Sequence, residues 1–240
     1  MTETHYQRWF EDSIVNRFSK KSPPDFFMSE KYFVEKIIGT IASVLDIGCA
    51  SGKYIEFLDI YKKNISYTGI DLVEEGIEQA RLTYPNHKFI YGNAISVDIN
   101  NTFDLVNAIG VFQHEPNYSK LLDRMIEKSN RYVLFDLKLA NVNEPIVDLD
   151  VAFSGKGKKT YFILLNFELF MDELTSIPGI QKIEVHGYRT ATNRDTTIPF
   201  FIETVVSATF LISLGQPIES APIVVNQLDD DSKRLLQLDV

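Results

Sequence analysis

The stretch Val44-Leu45-Asp46-Ile47-Gly48-Cys49-Ala50-Ser51-Gly52 constrains this chain more than any other, because Gly52 to Tyr61 read as a helix at its end, with Tyr54, Leu58 and Tyr61 on one face. A short apolar run, a turn with two glycines, and a helix starting at once describe a strand that feeds directly into a helix. No bulky side chain stands between the glycines, so a ligand can reach the main-chain N–H groups of the turn and the positive end of the helix.

The same alternation repeats along the middle of the chain. Ser66 to Ile70, His87 to Tyr91, Phe103 to Ile109 and Arg131 to Leu137 read as further strands. Helices are expected over Val73–Tyr84, Tyr118–Ser129 and near Phe167–Ser176. Two longer strands follow near Ile180–Tyr188 and Glu203–Ile212. Strands alternating with helices make a mostly parallel sheet covered on both faces, and an antiparallel strand often closes such a sheet near its edge. The expected fold is therefore α/β, a doubly wound sheet of seven strands with one antiparallel strand near the edge.

The remaining segments divide the chain. Residues 1–40 read as a helical cap broken at Ser22-Pro23-Pro24, residues 41–215 as the main domain, and residues 216–240 as a polar C-terminal appendage carrying Asp229-Asp230-Asp231. Within the main domain, 138–160 lacks periodicity and reads as an irregular insertion on the ligand side. The apolar stretch Ile198–Gly215 holds Pro199 and Glu203 and falls short of the roughly 20 apolar residues of a membrane span. The N-terminus has no apolar signal region. Cys49 is the one cysteine, so no internal disulfide forms. A soluble cytoplasmic protein is the expectation. The net charge of -9 weighs against a nucleic-acid or anionic-membrane partner.

Asp71 ends the second strand, where a carboxylate on a neighbouring parallel strand can hold both hydroxyls of a ribose. A dinucleotide loop wants a third glycine where this chain has Lys53, and Asp46 beside the turn suits a cationic ligand better than a pyrophosphate. Each feature alone has a plainer reading: the glycines an ordinary turn, Asp71 a helix cap, Asn93 a turn residue and Cys49 a small filler. Their order and spacing carry the case. Together, Val44 to Gly52, the Asp71 strand end, Phe89-Ile90-Tyr91-Gly92-Asn93-Ala94 and Phe103 to His114 resemble the class I S-adenosylmethionine-dependent methyltransferases, Rossmann-like enzymes, over about residues 40–137.

The resemblance implies S-adenosyl-L-methionine as cofactor. Asp46, Gly48, Cys49, Ala50 and Gly52 would hold its methionine part, with Ala50 in place of the commoner glycine. Asp71 and Leu72 would take the ribose, Asn93 and Ala94 the adenine, and main chain near Ile109 the methionine amine. His114, just past the fourth strand, stands where many members acting on small molecules have a histidine. It is the candidate base, against the alternatives of a helix cap or a packing residue. Gln113, Glu115 and Lys138 are weaker candidates, and His186 reads as structural. Tyr6, Arg8 and Trp9 could close over the cofactor, with Arg8 pairing the methionine carboxylate. Phe26, Phe27, Tyr32, Phe33, Tyr161 and Phe162 could line an apolar pocket. No metal site is expected.

Asn107-Ala108-Ile109-Gly110 lacks the Pro-Pro-aromatic motif usual in members that methylate amino groups of nucleic acids. The expected acceptor is therefore a small molecule with an oxygen or nitrogen nucleophile; the partners exclude a membrane and leave a homodimer open. A catalytically silent cofactor-binding protein of this fold, and a nicotinamide-dependent oxidoreductase, remain the alternative functions.

Overall fold

A computed structural model describes residues 4–10, 27–192, 194–216 and 220–238. The proposed break at Ser22-Pro23-Pro24, and Phe26, lie outside the described residues. The central strands are β1 (Ser43–Ile47), β2 (Ser66–Asp71), β3 (Lys88–Tyr91), β4 (Phe103–Ala108) and β5 (Ser129–Leu139). There are three two-residue strands, β6 (Phe153–Ser154), β7 (Thr160–Tyr161) and β9 (Thr196–Thr197). The long strands β8 (Ile180–Thr190) and β10 (Val205–Leu214) and a last strand, β11 (Ile223–Leu228), complete the set.

The main sheet has eight strands in the order β11-β8-β10-β5-β4-β1-β2-β3. Only β10 runs against its neighbours, pairing antiparallel with both β5 and β8. The expected sheet of seven strands thus gains an eighth, because the C-terminal stretch read as an appendage pairs parallel with β8 through Ile223–Leu228. Asp229 then caps helix α6 (Asp230–Leu235), accepting the Ser232 N–H.

The other helices are α1 (Met28–Ile37), α2 (Tyr54–Tyr61), α3 (Glu74–Thr83), α4 (Tyr118–Lys128) and α5 (Phe167–Ser176). Apolar residues of α1, α2 and α3, among them Phe33, Phe57 and Ile77, pack on one face of the sheet with Leu105 and Leu134. Leu122 and Met125 of α4 and Phe170 and Leu174 of α5 pack on the other with Val106 and Phe135. Neighbouring residues of one strand enter opposite cores, as strand alternation requires. Phe135 stacks on Phe210 with centroids 5.4 Å apart, which locks β5 to β10 within that second core.

The segment expected to be irregular is organised by its own small core of Ala140, Val142, Phe162, Leu164, Ile202 and Val205. There β6 and β7 join the later β9 in a separate sheet of order β7-β6-β9. No helix among the described residues is long and apolar enough to cross a membrane.

Candidate functional site

A cavity of about 680 Å³ opens where the strands β1, β2, β4 and β5 end. The carboxyl edge of an open α/β sheet is where ligands bind, because the loops splay apart there. One end of the cavity is built by the glycine loop. Gly48 has φ +75, and a Cβ there would stand 2.6 Å from the Val111 side chain, so only glycine lets the chain turn this tightly. Ala50 is also left-handed, at φ +48. Asp71 stabilises this turn: Oδ2 accepts the Ala50 N–H at 2.8 Å and Oδ1 the Val73 N–H at 2.9 Å. Burial raises the Asp71 carboxyl above its usual range, and these main-chain bonds oppose the rise. The Ser51 hydroxyl lines the cavity, buried and without a hydrogen-bond partner among the described residues.

Asn93, after β3, accepts the Ile95 N–H at 2.9 Å, and its amide faces the Tyr6 hydroxyl at 3.5 Å. Tyr6 belongs to the 3₁₀ turn Thr4–Phe10 and donates at 2.5 Å to the buried Glu115 carboxylate. Glu115 also accepts the Asn117 N–H at 2.8 Å. The N-terminal turn is thereby pinned over the cavity, with Tyr6, Arg8 and Trp9 in its wall.

His114 also lines the cavity. Its Nδ1 meets the Tyr161 carbonyl at 2.6 Å, which assigns the proton to Nδ1 and leaves a lone pair on Nε2. Trp9 packs edge-on against its ring at 4.9 Å. Burial is the main cause of a pKa lowered to about 4; the carbonyl bond opposes it, and Lys138 adds to it. The imidazole is therefore neutral near pH 7.

Asp136 and Lys138 are two residues apart on β5, and Lys138 lines the cavity. Asp136 is 1% exposed and accepts the Gly110 N–H at 2.5 Å. Lys138 donates to Asp136 at 3.0 Å and to Ser207 at 2.8 Å. Arg8 pairs with Asp195 at 2.8 Å.

Gly48, Ala50, Asp71, Leu72, Asn93, Ala94, Ile109 and His114 therefore share one cavity. Three expected cofactor residues stand outside its lining. Asp46 is 4% exposed and accepts from Tyr67 at 2.5 Å and from Asn107 at 2.7 Å, so its carboxylate supports the sheet beneath the loop. Cys49 is buried with its sulfur toward Gly69, where a Cβ would come within 2.6 Å, and burial pushes its thiol pKa well up. Gly52 turns toward Phe89 and Tyr84. Arg8 sits against Gly155 and Asp195, away from the glycine loop. Phe27 and Phe162 line the cavity, whereas Tyr32 and Phe33 pack on His186.

Sequence reasoning missed Asp136, Tyr188, Asp195 and Ser207. Only Asp136 left a signal, as a charge inside the otherwise apolar run Val133–Leu137.

Comparison with known proteins agrees with this geometry. Residues 44–129 match a family model described as a methyltransferase domain. The chain is 36% identical over 86 residues to a tRNA (guanine-N(7)-)-methyltransferase of Prochlorococcus marinus, covering 32% of this chain and 41% of that protein. It is 35% identical over 83 residues to a trans-aconitate 2-methyltransferase of Rhodopseudomonas palustris, covering 35% of this chain and 32% of that one. The chain spans less than half the length of the curated relatives it matches. Its fold is that of the N-methyltransferase NodS from Bradyrhizobium japonicum, solved with S-adenosyl-L-homocysteine. The TM-score is 0.56 at 13% identity, over 89% of this chain and all of that one.

Proposed function

We propose that this chain, whose residues 44–129 match a family model described as a methyltransferase domain, is a class I S-adenosylmethionine-dependent methyltransferase that moves a methyl group from S-adenosyl-L-methionine to an oxygen or nitrogen of a small molecule. The observation that carries this reading is a single cavity joining the Gly48–Ser51 turn and Asp71 to His114 and Lys138. The residues suit the cofactor. In the Gly48–Ser51 turn the N–H groups of Gly48, Cys49 and Ala50 are held by Ile70 and Asp71, the unpartnered Ser51 hydroxyl offers a donor, and Asp71 keeps a lone pair beyond its main-chain bonds. Asp71 and Leu72 would hold the ribose, Asn93 and Ala94 the adenine, and main chain from Gly48 to Ser51 and at Ile109 the methionine part.

When bound, the cofactor supplies an electrophilic methyl on a sulfonium. The protein's share is largely placement, since a direct displacement needs its nucleophile in line. His114 accepts a hydrogen bond from the acceptor through Nε2 and takes its proton as the bond to carbon forms. An imidazole with a pKa near 4 is a weak base, so its first role is orientation. Trp9 packs on the His114 ring, and Phe27 and Phe162 add apolar surface to the same cavity.

The names of the relatives divide between tRNA and a small acid. The charge of -9 and the sequence Asn107-Ala108-Ile109-Gly110 favour the small molecule. Cytoplasmic location is part of the same proposal. Calorimetry with S-adenosylmethionine and with NADH tests the cofactor. Binding of the first alone supports the reading, and binding of NADH alone overturns it.

A further inference from the structure

Three adjacent strands set a row of polar side chains into the cavity. The pairing puts Lys138 of β5 opposite Ser207 of β10, and Ser207 opposite Tyr188 of β8. Residues directly opposite on adjacent strands share a face of the sheet. All three line the cavity. In the strand order β8, β10 and β5 stand together, apart from β1, β2 and β3, whose ends carry the glycine turn, Asp71 and Asn93.

Each member of the row offers a hydrogen. Lys138 Nζ donates to Ser207 Oγ at 2.8 Å and to Asp136 at 3.0 Å, which leaves the third hydrogen of its ammonium. Ser207 accepts from that ammonium, so its own hydroxyl hydrogen is left to donate. Tyr188 keeps its hydroxyl proton, because burial and the Asp136 and Glu30 carboxylates raise its pKa. Asp136 is 1% exposed, stands outside the lining and gives its other oxygen to the Gly110 N–H. The row therefore meets a ligand chiefly with donors, one of them cationic, and a carbonyl-type oxygen supplies the lone pairs they need. Apolar surface adjoins it. The Phe27 ring lies 5.5 Å from Lys138 Nζ, and Val205, on the same face of β10 as Ser207, also lines the cavity. Lys138 and Asp136 both bear on the titration of His114, which sets the row near the proposed base.

We propose that Lys138, Ser207 and Tyr188 form the acceptor's subsite, and that the acceptor carries a carboxylate or amide whose carbonyl-type oxygen they bind. This rests on the methyl-transfer reading above and names its substrate class.

Benzoate, benzamide and benzylamine are titrated into the full chain saturated with S-adenosylhomocysteine, whose own binding is measured first. Benzylamine shares the ring but has no carbonyl oxygen, and the acidic side chains Asp71, Glu115 and Asp195 of the lining would favour its charge. Benzoate or benzamide is nevertheless expected to bind about tenfold or more tightly than benzylamine, and the ratio between those two reads the charge of the bound group. Ser207→Ala and Tyr188→Phe each remove one donor and leave the Lys138–Asp136 pair in place. Each should weaken the tighter probe by about three- to tenfold and leave S-adenosylhomocysteine affinity unchanged. Benzylamine binding as tightly as the other two, failure of all three to bind, or unchanged affinity in both variants overturns the inference. So does a loss of S-adenosylhomocysteine affinity in step with the probe, which would assign the row to the cofactor. Absence of S-adenosylhomocysteine binding overturns the methyltransferase reading itself, and this inference with it.

Discussion

Asp71 and Ala50 are joined by a 2.8 Å hydrogen bond from the Ala50 main-chain N–H to the Asp71 carboxylate. The other carboxylate oxygen holds the Val73 N–H, so one side chain fixes both the turn after β1 and the approach to α3. Asp71→Ala removes this brace together with the proposed ribose contact. Affinity for S-adenosylhomocysteine should fall by more than about tenfold, since a hydrogen bond to a charged group contributes roughly 1.5–3 kcal/mol. Calorimetry checks this, and unchanged affinity would remove Asp71 from the site.

Ala50 carries a Cβ at φ +48. A left-handed backbone costs such a residue about 1–2 kcal/mol, while glycine loses roughly 0.5–1 kcal/mol more chain entropy on folding. Ala50→Gly should therefore raise stability by up to about 1 kcal/mol. Thermal unfolding measures it. A lowered Tm would show that packing of the methyl group outweighs the strain.

The glycine turn, the five central strands and the late strand pair were legible because each announces itself over a few consecutive residues. Asp46 shows where such reading stops. It lies two residues from Gly48, yet it is on a strand whose side chains alternate, and its carboxylate faces Tyr67 and Asn107 on adjoining strands. Adjacency in sequence does not fix which face a residue serves. β11 was missed for a different reason. Ile223 and Val224 are largely exposed, so an edge strand here lacks the buried pattern that marks the others. Asp195 meets Arg8 across 187 residues, a pairing no local pattern encodes.

Asp136 is the most consequential of the residues that sequence reasoning passed over. It accepts the Gly110 N–H where the chain leaves β4 and balances the charge of Lys138. Asp136→Ala strands a mostly buried ammonium and should cost about 3–5 kcal/mol of folding stability. Double replacement, Asp136→Ala with Lys138→Met, should recover part of that loss in urea unfolding. If the double variant is no more stable than Asp136→Ala, the stranded charge is not the cause.

His114 yields a prediction in which stability and catalysis are read separately. Its folded pKa, about 4, lies below the unfolded value of 6.5, chiefly through burial. Between these values the unfolded chain binds a proton that the fold does not. Stability should therefore rise with pH through this window, and above it this group adds no slope. At about 1.36 kcal/mol per pKa unit the full effect is on the order of 3 kcal/mol. Carboxylates titrate in the same range, so the comparison is with His114→Gln: its stability relative to the wild type should improve steadily as pH falls from 6.5 to 4. For catalysis, His114→Gln should lower kcat while leaving S-adenosylhomocysteine affinity nearly intact. The wild-type kcat should be flat near neutrality and fall only as pH approaches about 4, where Nε2 gains its proton. A limb at 6.5 would instead place the imidazole in contact with bulk water, and an unchanged kcat in His114→Gln would remove it from proton transfer.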